Sequence, residues 1–196
     1  MKRSVSVWMS AVLFVAPAVF AQDQPEEQKT EKVRVGDKAP DFELPSTVDA
    51  GDDAPRKLSD LRGKKHVVLA FYPKADTPGC TKQLCGYRDD FETLKSANTE
   101  VVAISVDQQI DSDKFKEKFS LPFPVVGDPQ HKIIEAYGIP MKDVAGNKFA
   151  QRAVILIDKE GTIRHIDLQY DIANDKAPLY ERIHSLDQSD KEKAEG

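Results

Sequence analysis

Basic clusters, long apolar runs and grouped metal ligands are all scarce in this sequence. It carries 28 Lys+Arg against 33 Asp+Glu, a net charge of −5, with no block of basic residues. An acidic chain without a basic patch is a poor partner for nucleic acid or an anionic membrane surface. Beyond residue 21 no stretch is apolar enough to span a bilayer. The four histidines, His66, His131, His165 and His184, are scattered, so a histidine-based metal site is not indicated. There is no internal repeat and no low-complexity tract. Only two cysteines are present, Cys80 and Cys85, and both fall in one stretch, 71–85.

The first 21 residues stand apart. Lys2-Arg3 is a basic start, Val5 to Val15 is mostly apolar, and Val19-Phe20-Ala21 offers a cleavage site before Gln22-Asp23. That order reads as a secretory signal peptide cleaved near Ala21. The alternative is an uncleaved anchor, against which Pro17 and the short apolar run both argue. No cysteine lies near the cleavage site to accept a lipid. Cleavage would remove Lys2 and Arg3, taking the 28 basic residues to 26 against 33 acidic ones and the net charge to −7. The expected product is exported and soluble, periplasmic or secreted. Residues 22–32 read as a disordered linker, 33–186 as one domain with a sizeable core, and 187–196 as a charged, frayed tail.

Within the domain, 36–45 alternates turn and apolar residues, which predicts short edge strands or a hairpin. Asp49 to Pro55 is a loop, and 57–63 one helical turn closing on Gly63. The continuous apolar run His66–Tyr72 suits a central strand covered on both faces. Pro73 ends it. A helix then starts with Thr77 as N-cap and Pro78 at its first position. It continues through Leu84, Tyr87, Phe91 and Leu94 to an exit near Asn98. Further strands are expected at 101–106, 125–126, 153–157 and 162–168, and helices at 111–119, 129–137 and 177–186. Met141 to Lys148 reads as a polar loop. Strand–helix repeats followed by a strand hairpin predict a three-layer α/β domain with a mixed sheet.

A thiol is a useful nucleophile only as thiolate, a form favoured at helix N-termini and near cations. With Thr77 as N-cap, Cys80 is the third helical residue, among N–H groups that have no helical acceptor. Lys74 and Lys82 add positive charge. An inert buried cysteine is the competing reading. Two cysteines in an exported protein suggest a disulfide, by default a structural one. The spacing weakens that default. Residues five apart on a helix are separated by about 8–9 Å between Cα atoms, beyond the roughly 7 Å that a disulfide spans. A bond between Cys80 and Cys85 therefore requires the helix to unwind in part, which suits a bond that forms and breaks.

These residues resemble a known family. Pro73-x-x-x-Thr77-x-x-Cys80 is similar to the active-site pattern of peroxiredoxins, and a second cysteine five residues on resembles their Q subfamily, also called bacterioferritin comigratory protein. Residues 35–42, 123–128, 136–139 and 151–158 resemble further family segments. The resemblance covers about 33–186. It implies a thioredoxin-like fold, with a central mixed sheet flanked by helices and an N-terminal hairpin extension. It also implies reduction of hydrogen peroxide and organic hydroperoxides. Cys80 is then the peroxidatic cysteine and Cys85 the resolving one. Thr77 hydrogen-bonds peroxide and sulfur, Pro73 shields the sulfur, and Arg152 holds the developing charge. No cofactor is implied. The reductant is a thioredoxin-like protein or a small thiol, left open by the expected export. An intramolecular resolving cysteine makes a monomer the expectation without excluding a dimer. The alternatives are a thioredoxin-like thiol–disulfide oxidoreductase or electron carrier, which carries Cys-x-x-Cys, and a metal-delivery module, which needs a histidine nearby.

Overall fold

The computed structural model describes residues 32–45 and 56–195. The expected signal peptide, nearly all of the expected linker and the loop at 49–55 lie outside the described residues.

Strand β1 (His66–Phe71) is buried along its whole length, as a run without polar alternation requires. It is the middle of a five-stranded sheet ordered β3-β2-β1-β6-β7, with β2 at Thr99–Ser105, β3 at Val125–Gly127, β6 at Ala153–Ile157 and β7 at Ile163–Asp167. β1 pairs in parallel with β2 and β2 with β3, while β6 pairs antiparallel with both β1 and β7. The sheet is therefore mixed, as the order of elements predicts. Alternate residues divide the core between its two faces. Val68, Ala70 and Tyr72 pack on one side with Val101, Ala103, Val154 and Leu156. Val67, Leu69 and Phe71 pack on the other with Val102, Ile104, Ile155 and Ile157.

The first face is covered by α1 (Pro78–Asp89), α2 (Phe91–Ser96), α3 (Gln109–Lys118) and α5 (Lys176–Glu195), and the second by α4 (Lys132–Ala136) and a 3₁₀ turn at Leu58–Leu61. The single helix expected after Thr77 is thus two. It breaks at Asp90, whose carboxylate accepts a hydrogen bond from the Tyr180 hydroxyl at 2.9 Å and pairs with Lys176. These tertiary contacts fix a residue that helical spacing alone would have left inside one helix.

Three further segments depart from expectation. The 36–45 segment forms no named hairpin strand among the described residues. It makes single antiparallel bridges, Lys38 with Thr162 and Glu43 with Lys57, and spends its backbone groups on the entry to β7. The polar 141–148 segment is a hairpin of β4 (Met141–Val144) and β5 (Asn147–Ala150). Its two-residue turn has positive φ at both Ala145 and Gly146, a backbone that matches the twist of the flanking strands. The expected frayed tail is instead the last part of α5. Asp187 is buried there, accepting from the Asn98 amide and pairing with Lys191, while Asp190 meets His66 and Lys159.

Candidate active site

β1 delivers the chain to a tight loop at its C-terminal end, and the loop delivers it to α1. Two contacts hold this loop. The Ala75 N–H donates to Asp107 at 2.6 Å, a buried carboxylate that also accepts from the Ser105 hydroxyl at 2.8 Å. The Lys118 ammonium lies 2.7 Å from both carboxylate oxygens of Asp76, whose φ of 56° is held in the left-handed region. Thr77 occupies the N-cap position with extended backbone, and Pro78 follows as the first helical residue. The Thr77 side chain makes no capping hydrogen bond. Its hydroxyl donates to the Lys74 carbonyl at 3.1 Å, so the oxygen keeps its acceptor capacity at the helix entrance.

Cys80 is the third residue of α1 and is 1% exposed. Its sulfur meets one cation directly. Arg152 Nη2 donates to Cys80 Sγ at 3.7 Å, and Nη1 of the same guanidinium donates to Gln83 Oε1. Sheet register explains how a residue 72 positions away arrives there. Ala153 is opposite Phe71 in the antiparallel β1–β6 pair, so Arg152 stands beside the segment that follows β1. Gly79 makes room for it, since a Cβ there would lie 3.1 Å from Nη2. Burial pushes the Tyr72 and Tyr87 phenols above the ordinary tyrosine value, so both stay neutral.

Pro73 and Arg152 both line a cleft of about 400 Å³, walled also by Tyr170 and by the β4–β5 hairpin. Cys85 is half-buried on the same helix as Cys80, and both thiols are free. The structure therefore brings Pro73, Thr77, Cys80 and Arg152 to one end of β1 and keeps Cys85 one helical turn and more away. Sequence reasoning missed Gln83, Asp107 and Ser105. Gln83 had a signal, because residues i and i+3 share a helix face and it is three after Cys80. Asp107 and Ser105 had none, as their role comes from β2 lying beside β1. Among the described residues no group of three His, Cys, Asp or Glu side chains is placed to hold a metal ion, and no helix is long and apolar enough to cross a membrane.

A buried thiol at a helix N-terminus, held by an arginine that directly precedes the adjacent strand, on a mixed sheet flanked by helices, defines a thioredoxin-like protein built for thiol chemistry. Comparison with known proteins gives the family. Residues 35–166 match the AhpC/TSA family. The chain is 44% identical over 134 residues to a Coxiella burnetii protein named as a peroxiredoxin bcp, covering 67% of this chain and 85% of that one. It is 41% identical over 134 residues to peroxiredoxin Bcp of Bacillus subtilis, covering 67% and 82%. Among solved structures, peroxidoxin BcpB of Mycobacterium tuberculosis superposes with a TM-score of 0.66 at 28% identity, covering 78% of this chain and 97% of that one. The chain belongs to the AhpC/TSA family and is a peroxiredoxin of the Bcp/Q type, a thiol peroxidase.

Proposed function

We propose that Cys80 is the peroxidatic cysteine and Cys85 its resolving partner. The observation that carries this reading is the Arg152 guanidinium, 3.7 Å from a buried sulfur at the start of α1. Cation and helix N-terminus together place positive charge beside this sulfur. The Cys80 thiolate attacks one oxygen of the hydroperoxide and the O–O bond breaks. The sulfur gains that oxygen as sulfenic acid, and the departing oxygen takes a proton to leave as water or an alcohol. Arg152 stabilises the negative charge that builds on the departing oxygen. The Thr77 hydroxyl, whose proton is already given to Lys74, accepts the hydroperoxide O–H. Pro73 keeps bulk water from the sulfur.

Cys85 then attacks the sulfenic sulfur, a disulfide forms and water leaves. Both sulfurs come from α1, so the helix must open for them to meet. Two thiol equivalents from outside, from a thioredoxin-like protein or a small thiol, reduce the disulfide and are themselves oxidised. One helix supplies both sulfurs, so turnover needs no second subunit. The protein is exported, its first 21 residues removed, and its reductant is one that works in an oxidising compartment.

Cys80→Ser should abolish peroxide consumption. Cys85→Ser should keep one rapid equivalent and lose the disulfide seen by mass spectrometry after oxidation. Normal turnover by Cys80→Ser would overturn the assignment. N-terminal sequencing of protein recovered from the producing cell checks removal of residues 1–21.

A further inference from the structure

Asp107 does more than tie down the loop that follows β1. β2 lies parallel to β1, with Ile104 opposite Phe71, so the residues that follow β2 stand beside that loop. Asp107 is 8% exposed there. One of its oxygens, Oδ2, accepts both from the Ala75 N–H at 2.6 Å and from the Ser105 hydroxyl at 2.8 Å. The Ser105 hydroxyl thereby holds the oxygen that meets the loop.

The same peptide group is bonded on its other side. The Ala75 N–H and the Lys74 carbonyl belong to one planar amide, and that carbonyl accepts from the Thr77 hydroxyl at 3.1 Å. Thr77 and Asp107 are therefore joined through a single peptide, hydroxyl to carbonyl and N–H to carboxylate. Hydrogen bonds in such a chain polarise one another where the dielectric is low, so the bond to Asp107 makes the Lys74 carbonyl a better acceptor. Planarity also carries orientation, since fixing the N–H direction fixes that of the carbonyl. The Thr77 hydroxyl is held with its proton on Lys74 and its lone pairs open. The competing use of that hydroxyl, capping α1, is not made.

We propose that Asp107 is a positioning residue for peroxide reduction. It acts through the Lys74–Ala75 peptide to keep the Thr77 hydroxyl turned as acceptor of the hydroperoxide O–H. The loop has a separate anchor in the pairing of Lys118 with Asp76, so Asp107 is not its only tie to the rest of the domain. This rests on the peroxidase reading and extends its site to the end of β2.

Two reactions of the reduced protein separate this role from a merely structural one. Both use the Cys80 sulfur, but hydrogen peroxide presents an O–H to Thr77 and iodoacetamide presents none. Cys85→Ser is the background throughout, so that Cys80 alone reacts. Asp107→Ala should slow attack on hydrogen peroxide about tenfold, the scale of one hydrogen bond to a charged group, while alkylation slows by less than about twofold. Asp107→Asn keeps an acceptor oxygen without the charge and should lose about three- to fivefold in peroxide attack. Thr77→Val should slow peroxide attack by itself. Adding either Asp107 variant to it should then cost less than about twofold more, because members of one relay are not additive. Equal losses in the two reactions, or losses that multiply in the double variant, overturn the proposal, as does an unchanged peroxide rate in Asp107→Ala. If Asp107→Ala does not fold, the same cycle with Asp107→Asn decides. If Cys80 consumes peroxide while the two losses multiply, the role of Asp107 alone fails. If no peroxide is consumed by the protein with Asp107 intact, the peroxidase reading fails with it.

Discussion

Replacing Gly86 by alanine tests whether α1 must open during turnover. Gly86 follows Cys85 directly and lies inside the helix, where glycine costs about 0.5–1 kcal/mol relative to alanine because it loses more backbone freedom on folding. A Cβ at this position would meet the Lys176 ammonium at 3.7 Å, an ordinary contact with the far end of a flexible chain. The methyl group therefore fits, and Gly86→Ala should stabilise the reduced protein by about 0.5–1 kcal/mol. If Cys80 and Cys85 bond only after α1 opens through Gly86, the same energy is added to the opening step. Disulfide formation should then slow about two- to fivefold. Attack on peroxide uses the closed helix, so the first equivalent of hydrogen peroxide should disappear at the unmodified rate. Urea unfolding of the reduced protein measures the stability. Acid quenching after one equivalent of peroxide, followed by alkylation and mass spectrometry, follows sulfenic acid and disulfide separately. A stabilised variant whose disulfide forms at the unmodified rate would refute unwinding through Gly86. A variant no more stable than the parent would refute the energetic premise.

Two other perturbations address the arginine clamp and the far end of the sheet. Gln83→Leu removes the acceptor that orients Arg152. Because hydrogen bonds to charged groups contribute about 1.5–3 kcal/mol, the rate of hydrogen peroxide consumption should fall by about tenfold or more, with Gln83→Glu restoring it; an unchanged rate for Gln83→Leu would mean that Arg152 is held without Gln83. His66 is buried at the start of β1, and burial pushes its pKa below the ordinary histidine value even though Asp190 opposes the shift. The folded protein keeps it neutral while the unfolded chain protonates near pH 6.5. Stability should therefore fall as pH drops from about 6.5 toward the lowered folded value. His66→Gln should flatten that slope in urea midpoints. His165, lowered by its own burial and by Arg182, adds a slope of the same sign, and an unaltered slope would remove His66 from the account.

Much of the fold could be read from hydrophobic pattern. The unbroken run at β1, the β6–β7 hairpin and the Thr77-Pro78 helix start are local features, and each formed where local rules place it. The misses share a cause. The β4–β5 hairpin is mostly polar, and its strands are recognisable only once its turn geometry is seen. The break at Asp90 and the last turns of α5 depend on partners far away in sequence, Tyr180 and Lys176 in one case, His66, Asn98 and Lys159 in the other.

The sequence by itself determined the local geometry around the two cysteines. The third helical position of Cys80, the proline that stops β1 and the five-residue spacing to Cys85 follow from chain geometry over a few residues. Resemblance to a family could point to Arg152, but residue type and spacing could not, since an arginine before an apolar strand is more often a surface charge. Only the tertiary structure decided that this arginine reaches the sulfur, because antiparallel pairing of β6 with β1 is a long-range register. The same register brings the guanidinium within reach of Gln83 on α1. Interactions of this kind depend on which strands become neighbours, and that is settled by burial of the whole core rather than by any one segment.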